Sequence, residues 1–178
     1  MIELRVLTAD DWSAWRALRL AALAQDPDAF GATLADWRGE GDREERWRAR
    51  LSIAGSRNVL AVLDGKPAGM VSGVPGPRLG VVELISLWVS REARGRGVGD
   101  HLIRAVEQWA VEERAEILRL AVMPGNEHAT ALYGRHGFVD AGPLGDVLPS
   151  GRREHVMTKR LLAGRPAGQP APVCGAGE

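Results

Sequence analysis

Apolar residues recur with a period of about two in some stretches of this chain and of about 3.6 in others, and the switches mark out its elements. Ile2 to Leu7 alternates, with Ile2, Leu4 and Val6 set against Glu3 and Arg5, and predicts a first strand. Thr8-Ala9-Asp10-Asp11 is an N-cap with an acid three residues on, so a helix is expected from about Ala9 to Ala24. Its apolar stripe is Trp12, Trp15, Leu18, Ala22 and Leu23, and Asp26-Pro27-Asp28 breaks it. Asp42 to Ala54 reads as a second amphipathic helix with Trp47, Leu51 and Ala54 on one face. Val59 to Leu63 and Ala68 to Val74 are strands joined at Asp64-Gly65, a strong hairpin signal. Val81 to Val89 is almost continuously apolar, as a strand covered on both faces would be. A helix follows from Gly97 to about Glu113, then a buried strand at Ile117 to Val122 and a short helix from Glu127 to His136 capped by Gly137. Phe138 to Ala141 and Glu154 to Leu161 complete the pattern. The order β-α-α-β-β-β-α-β-α-β-β predicts an α/β protein, a mixed sheet with helices on both sides. Residues 1–162 form one expected domain, and 163–178, rich in Gly, Pro and Ala without periodicity, form an expected disordered tail.

Composition narrows the function. The apolar fraction of 45% and the charged fraction of 26% are those of a soluble globular protein. Lys plus Arg and Asp plus Glu both number 23, so no basic field is present to attract nucleic acid or an anionic membrane, and neither is expected as a partner. No apolar run reaches the length of a membrane span, and Met1-Ile2-Glu3-Leu4-Arg5 opens no signal peptide; a cytoplasmic protein is expected. The single cysteine, Cys174, lies in the tail, which argues against disulfides, a zinc site or a thiol catalyst, and no metal is expected.

The strongest chemical signal is Arg94-Gly95-Arg96-Gly97-Val98-Gly99, between an apolar strand and a long amphipathic helix. Backbone N–H groups at the positive end of a helix dipole, in a glycine turn, bind phosphate or pyrophosphate. A nucleotide-triphosphate loop would need Gly-Lys-Ser/Thr, but Gly99 is followed by Asp100. A dinucleotide loop would need a wider glycine spacing and an acid closing the next strand, which ends Val122-Met123-Pro124. A plain glycine turn joining strand to helix is the structural alternative.

These residues resemble the Arg/Gln-x-x-Gly-x-Gly/Ala motif of the GCN5-related N-acetyltransferases, which cradles the pyrophosphate of coenzyme A. The stretch from Leu120 and Val122 through Asn126, Ala129, Leu132 and Tyr133 to Gly137-Phe138 looks like the same family's second signature. The resemblance covers roughly Val59 to Leu161 in element order and is specific from Glu83 to Phe138. It implies a mostly antiparallel sheet of six or seven strands, splayed between the fourth and fifth. It also implies transfer of an acetyl group from acetyl-CoA, as cosubstrate and without metal, to a primary amine of a small molecule or peptide. Asp100 departs from the small or hydroxyl residue common there and is expected to point away from the ligand.

Under this resemblance the anchor is Arg94 to Gly99, with Arg94 and Arg96 reaching either the adenosine phosphate or solvent. The backbone of Leu87, Trp88 and Val89 would pair with the pantetheine arm, and the Val89 N–H is the candidate oxyanion donor. Asn126 and Tyr133 lie two helical turns apart with Ala129 between them, leaving a face along which a chain can lie. Tyr133, the only tyrosine, is the candidate acid for the departing thiolate, or a core residue; Asn126 caps its helix, contacts the cofactor, or does both. Glu83 is the candidate general base, acting through water, or an acid at the solvated start of its strand. The four histidines lack motif support. The acceptor site is expected from the first two helices, the linker Pro27 to Gly41 and the loop Gly142 to Arg153. There Phe30 and Trp37 either wall a pocket or pack the helices onto the sheet, while Asp36 and Glu40 could attract a cation. A homodimer through the last strand and the Gly142–Arg153 loop is left open. Two alternatives stand beside the acetyltransferase: transfer of a different acyl group, and a non-catalytic CoA-binding sensor.

Overall fold

The computed structural model describes residues 1–161. The expected disorder of 163–178, and Cys174 with it, lies outside the described residues. A seven-stranded sheet forms the centre, in the order β1-β2-β3-β4-β5-β7-β6. Its strands are β1 (Ile2–Leu7), β2 (Arg57–Leu63), β3 (Lys66–Pro75), β4 (Val81–Val89), β5 (Ile117–Val122), β6 (Val139–Gly142) and β7 (His155–Arg160). The helices are α1 (Trp12–Gln25), α2 (Glu44–Leu51), α3 (Val98–Glu112) and α4 (Glu127–Arg135). Every expected element is present, and the bounds move by a few residues. The largest shift is at α2, which starts two residues later than the pattern suggests and stops at Leu51 rather than Ala54.

Local chemistry sets the ends. Thr8 and Asp11 form a capping box in which Thr8 Oγ1 accepts from the Asp10 N–H and Asp11 Oδ2 accepts from the Thr8 N–H; a tight turn over Ala9–Asp11 precedes α1. Asp64 and Gly65 both have positive φ, at 50° and 81°, as a two-residue hairpin turn requires.

Side-chain alternation gives each face of the sheet its own core. From β2, Val59, Ala61 and Leu63 face α3, while Leu60 and Val62 join Trp15, Leu18, Trp47 and Leu51 of α1 and α2. Every neighbouring pair is antiparallel except β4 with β5. That parallel pairing is short: it joins Val81 to Ile117, Val82 to Leu118 and Glu83 to Arg119, and then the two strands part. The expected splay therefore opens immediately beyond Glu83.

A β-bulge lies just beyond the parting. Met70 of β3 faces Trp88 while Ser72 faces Ile85, so Ser86 and Leu87 of β4 together oppose Val71. Ser86 adopts φ +57°, a left-handed conformation uncommon for a residue with a Cβ. One extra residue reverses the facing of everything after it. Val82 and Leu84 belong to the α3 core, but Trp88, of the same parity, lies in the α1/α2 core. At the far edge, Val139 of β6 and Leu144 and Val147 beyond it are exposed apolar side chains.

Candidate functional site

The bulge and the splay leave one edge of β4 open. The Ser90 N–H donates to Ala68 O at 2.8 Å, toward β3. Backbone polar groups alternate edges along a strand, so the N–H and C=O of Val89 face the side that β5 has left. The Val89 carbonyl is reached from that side by Arg94 Nε at 3.1 Å.

The glycine loop closes one end of this opening. Gly95 and Gly97 have φ of +74° and +84°, and Gly97 is the N-cap of α3. A Cβ at Gly95 would meet nothing within 4 Å, so backbone conformation and not crowding calls for glycine there. Alternating conformation before a helix start turns successive N–H groups the same way, which makes an anion-binding concavity.

One cleft of about 510 Å³ collects most of the candidates. Leu87, Trp88, Val89, Arg94, Gly95, Gly97, Val98 and Gly99 line it from β4 and the loop, and Asn126, Ala129 and Tyr133 line it from α4. Two candidates stand apart from that lining. Arg96 turns to Asp64 in the β2–β3 turn, at 2.7 Å, where the N-terminal amine also binds. Glu83 forms an ion pair with Arg119 across the β4–β5 junction.

Arg94 is committed as well, for its Nη2 lies 2.6 Å from Asp26 Oδ2. Asp26 also accepts from Trp88 Nε1 at 2.8 Å, a contact that the reversed facing of Trp88 makes available. Burial works to raise the Asp26 pKa, but the bonds from Trp88 and Arg94 outweigh it and hold the carboxyl below its ordinary value. Asp26 thus does more than break α1: it pins the helix end to β4 and to the loop. Asp100, expected to point away from the ligand, is among the residues lining the cleft; it is bonded to His136 Nε2 at 2.7 Å, and that bond lowers its pKa.

Tyr133 is buried, edge-on to Phe138 at 5.8 Å, and burial pushes its hydroxyl pKa well up. Asn126 Oδ1 accepts from the Ala129 N–H at 3.2 Å, so the residue caps α4 while lining the cleft. His128, which no motif singles out, lines it too. Near the β4–β5 junction, burial raises the pKa of Glu154, and the Glu83 carboxylate adds to the rise.

On the α1/α2 side, Phe30 lines the cleft and packs against the core, so the two expectations for it hold together. Trp37 does not reach the cleft. Its ring lies 4.5 Å from that of Trp47, with the Arg46 guanidinium 3.7 Å above it. Asp36 is occupied by the Thr33 N–H. Two arginines that the sequence candidates omit sit here. Arg19 lies over the Phe30 ring at 4.7 Å, and Arg50 over the Trp15 ring at 5.1 Å. Arg50 donates to Asn58 Oδ1, Ser72 Oγ and Ser86 Oγ at 3.1–3.2 Å. Burial lowers both guanidinium pKa values to about 10, and the Arg50 charge adds to the effect on Arg19. A signal for them exists: Arg19 falls in the 15-18-22 stripe of α1, and Arg50 in the 47-51-54 stripe of the second helix pattern, both at positions where an apolar residue is expected.

Comparison with known proteins agrees with the fold. The model of the Acetyltransferase (GNAT) family matches residues 15–138, and the chain belongs to that family. It is similar to an uncharacterized N-acetyltransferase of Bacillus subtilis, YobR, with 42% identity over 55 residues. That match takes in 31% of this chain and spans only 22% of the relative's length. Among solved structures, a ribosomal-protein-alanine N-acetyltransferase from Brucella melitensis is 26% identical, with a TM-score of 0.67 over 89% of this chain and 99% of the other. A GCN5-related N-acetyltransferase from Kribbella flavida is 25% identical, with a TM-score of 0.71 over 90% and 98%. A GNAT-family acetyltransferase from Streptococcus pneumoniae, 23% identical, shares the fold with a TM-score of 0.72 over 90% and 99%. No helix among the described residues is long and apolar enough to cross a membrane.

Proposed function

We propose that this chain transfers the acetyl group of acetyl-CoA directly to a primary amine of a small molecule or peptide. One observation carries the reading: the open edge of β4, the glycine loop and the Asn126–Tyr133 face of α4 line a single cleft. The residues fit coenzyme A in kind. Backbone N–H groups from Gly95 to Gly99 suit the pyrophosphate, and the open edge of β4 at Leu87 and the Val89 N–H suits the amides of the pantetheine arm. Acetyl-CoA supplies the activated acetyl group, and the rest is the work of this chain.

The Val89 N–H is the proposed donor to the thioester oxygen, a role typically worth about 10²–10³ in rate. Tyr133 is the proposed acid for the leaving thiolate. Burial raises its pKa, so the hydroxyl carries a proton to donate at neutral pH. Asn126 fixes the start of α4 and thereby the placement of Tyr133. Glu83 is the proposed base for the ammonium group, through water. Glu154 is its neighbour, and a raised carboxyl pKa brings that group toward the range useful for proton exchange. The Brucella relative is described as acting on alanine of a ribosomal protein, which argues for including peptide amines among acceptors.

Thermal unfolding with acetyl-CoA, CoA and NAD tests the donor site. Either CoA species at 100 times its Kd should add about 2.7 kcal/mol of stability, and NAD should add nothing. A broad amine panel with detection of released thiol then tests catalysis. No response to either CoA species would sink the reading, and binding without thiol release would favour a sensor.

A further inference from the structure

We propose that Arg19 and Arg50 seat an oxyanion of the acceptor, so that the amine this chain acetylates also bears a carboxylate or phosphate group. The proposal rests on the acetyltransferase reading above and names the substrate class for the same site.

Both guanidinium groups lie in the layer between α1, α2 and the sheet, and neither has a carboxylate within ion-pair distance among the described residues. Arg19 Nη1 is buried without a hydrogen-bond partner, and so is Trp15 Nε1, one turn earlier on the same face of α1. Arg50, stacked on the Trp15 ring, is held by neutral oxygens alone: Asn58 Oδ1, Ser72 Oγ and Ser86 Oγ. Asn58 is itself fixed, for its Oδ1 accepts from Ser72 at 2.6 Å and its Nδ2 donates to the Leu51 carbonyl at 3.2 Å. Arg50 is therefore pre-aimed, with its charge left uncompensated.

Two like charges in a half-buried layer are costly without a counter-ion. Elsewhere the chain supplies one readily, as Arg16 with Asp42, Arg94 with Asp26 and Arg96 with Asp64 demonstrate. Here the layer offers unmatched donors and no acid, which suits an oxyanion brought by a ligand. Neither arginine lines the cleft itself, but each lies one residue behind its wall. Arg19 contacts Phe30, which lines the cleft, and Arg50 binds Ser86, the bulge residue next to the cleft-lining Leu87. An amine whose anionic end rests on these arginines would present its nitrogen toward the open edge of β4.

The test compares matched acceptors with acetyl-CoA: an amino acid, its amide and its methyl ester, and O-phosphoethanolamine against ethanolamine. The anionic member of each set should exceed the neutral one at least tenfold in kcat/KM, and the two sets distinguish carboxylate from phosphate. In Arg19→Met and Arg50→Met that advantage should vanish through the KM of the amine, with the KM of acetyl-CoA unchanged. Neutral amines served as well as anionic ones would overturn the proposal, as would variants that slow every amine alike. Faster turnover with a carboxylate-bearing acyl-CoA than with acetyl-CoA, lost in the same variants, would also overturn it by assigning the anion to the donor. Thermal stabilisation of the wild-type chain by the anionic amines, absent in both variants, reads the oxyanion seat without catalysis. Stabilisation with no acetyl transfer to any amine would then count against the transferase reading and not against the seat.

Discussion

The glycine loop and the α1/α2 side of the sheet handle positive charge in opposite ways. At the glycine loop, Arg94 and Arg96 are each paired with a carboxylate, and the anion-binding capacity rests with backbone N–H groups. Beneath the β4 bulge, Arg19 and Arg50 are half-buried, with no acid at ion-pair distance among the described residues. Under the proposed function the loop meets a ligand portion that is always the same, for which backbone geometry is enough, and the nearby arginines are left to brace the loop. Unpaired side-chain charge costs stability and is tolerated where it selects a partner.

The comparison is most sharply tested at the cleft's centre, where Tyr133→Phe should lower kcat about a hundredfold with CoA-induced stabilisation unchanged. Wild-type turnover should also show no loss near pH 10 from ionisation of this residue, since its folded-state pKa is raised. An equal rate in the phenylalanine variant would remove Tyr133 from the mechanism. Next in size, Gly97→Ala forces a Cβ into φ +84°, a strain of roughly 1–2 kcal/mol, and should weaken acetyl-CoA binding about tenfold. The amine KM should not follow; if it does, the two regions are not independent.

Arg19→Met should raise the melting temperature by a few degrees, because it deletes a half-buried cation that has no acid partner among the described residues; a fall would mean that the charge is compensated. A smaller effect is expected of pH. Asp26 has a depressed folded-state pKa, so its ionised form stabilises the fold above the ordinary carboxylate value near ~3.9. That contribution is lost as pH falls through this value and on through the lower folded one. The melting-temperature gap between wild type and Asp26→Asn should therefore close in acid, and a constant gap would show that Trp88 and Arg94 do not depend on the charge. The smallest effect belongs to Arg96→Ala. Its ion pair with Asp64 is exposed, so acetyl-CoA affinity should change by less than about threefold.

The legible part of the site is local. Two glycines at positive φ, a strand before them and a helix after them occupy one stretch of chain, and Asn126 and Tyr133 share a face by helical period alone. Asp26 was legible only as a helix breaker, because its partners Trp88 and Arg94 are more than sixty residues away. Arg19 and Arg50 each interrupt an apolar stripe, a signal present in the sequence, yet period alone does not distinguish a snorkelling arginine from one aimed at a ligand.

By itself the sequence determined the elements, their order, the hairpin and the glycine loop, since each depends on residues close together in the chain. The bulge at Ser86 and Leu87 was decided only in the tertiary structure. Nothing in Ile85-Ser86-Leu87-Trp88 announces an extra residue; the mismatch exists only against Val71 of the neighbouring strand. Yet that one residue turns Trp88 to the α1/α2 core and leaves Val89 facing the open edge, because side chains alternate with a period of two and a single insertion reverses every later position.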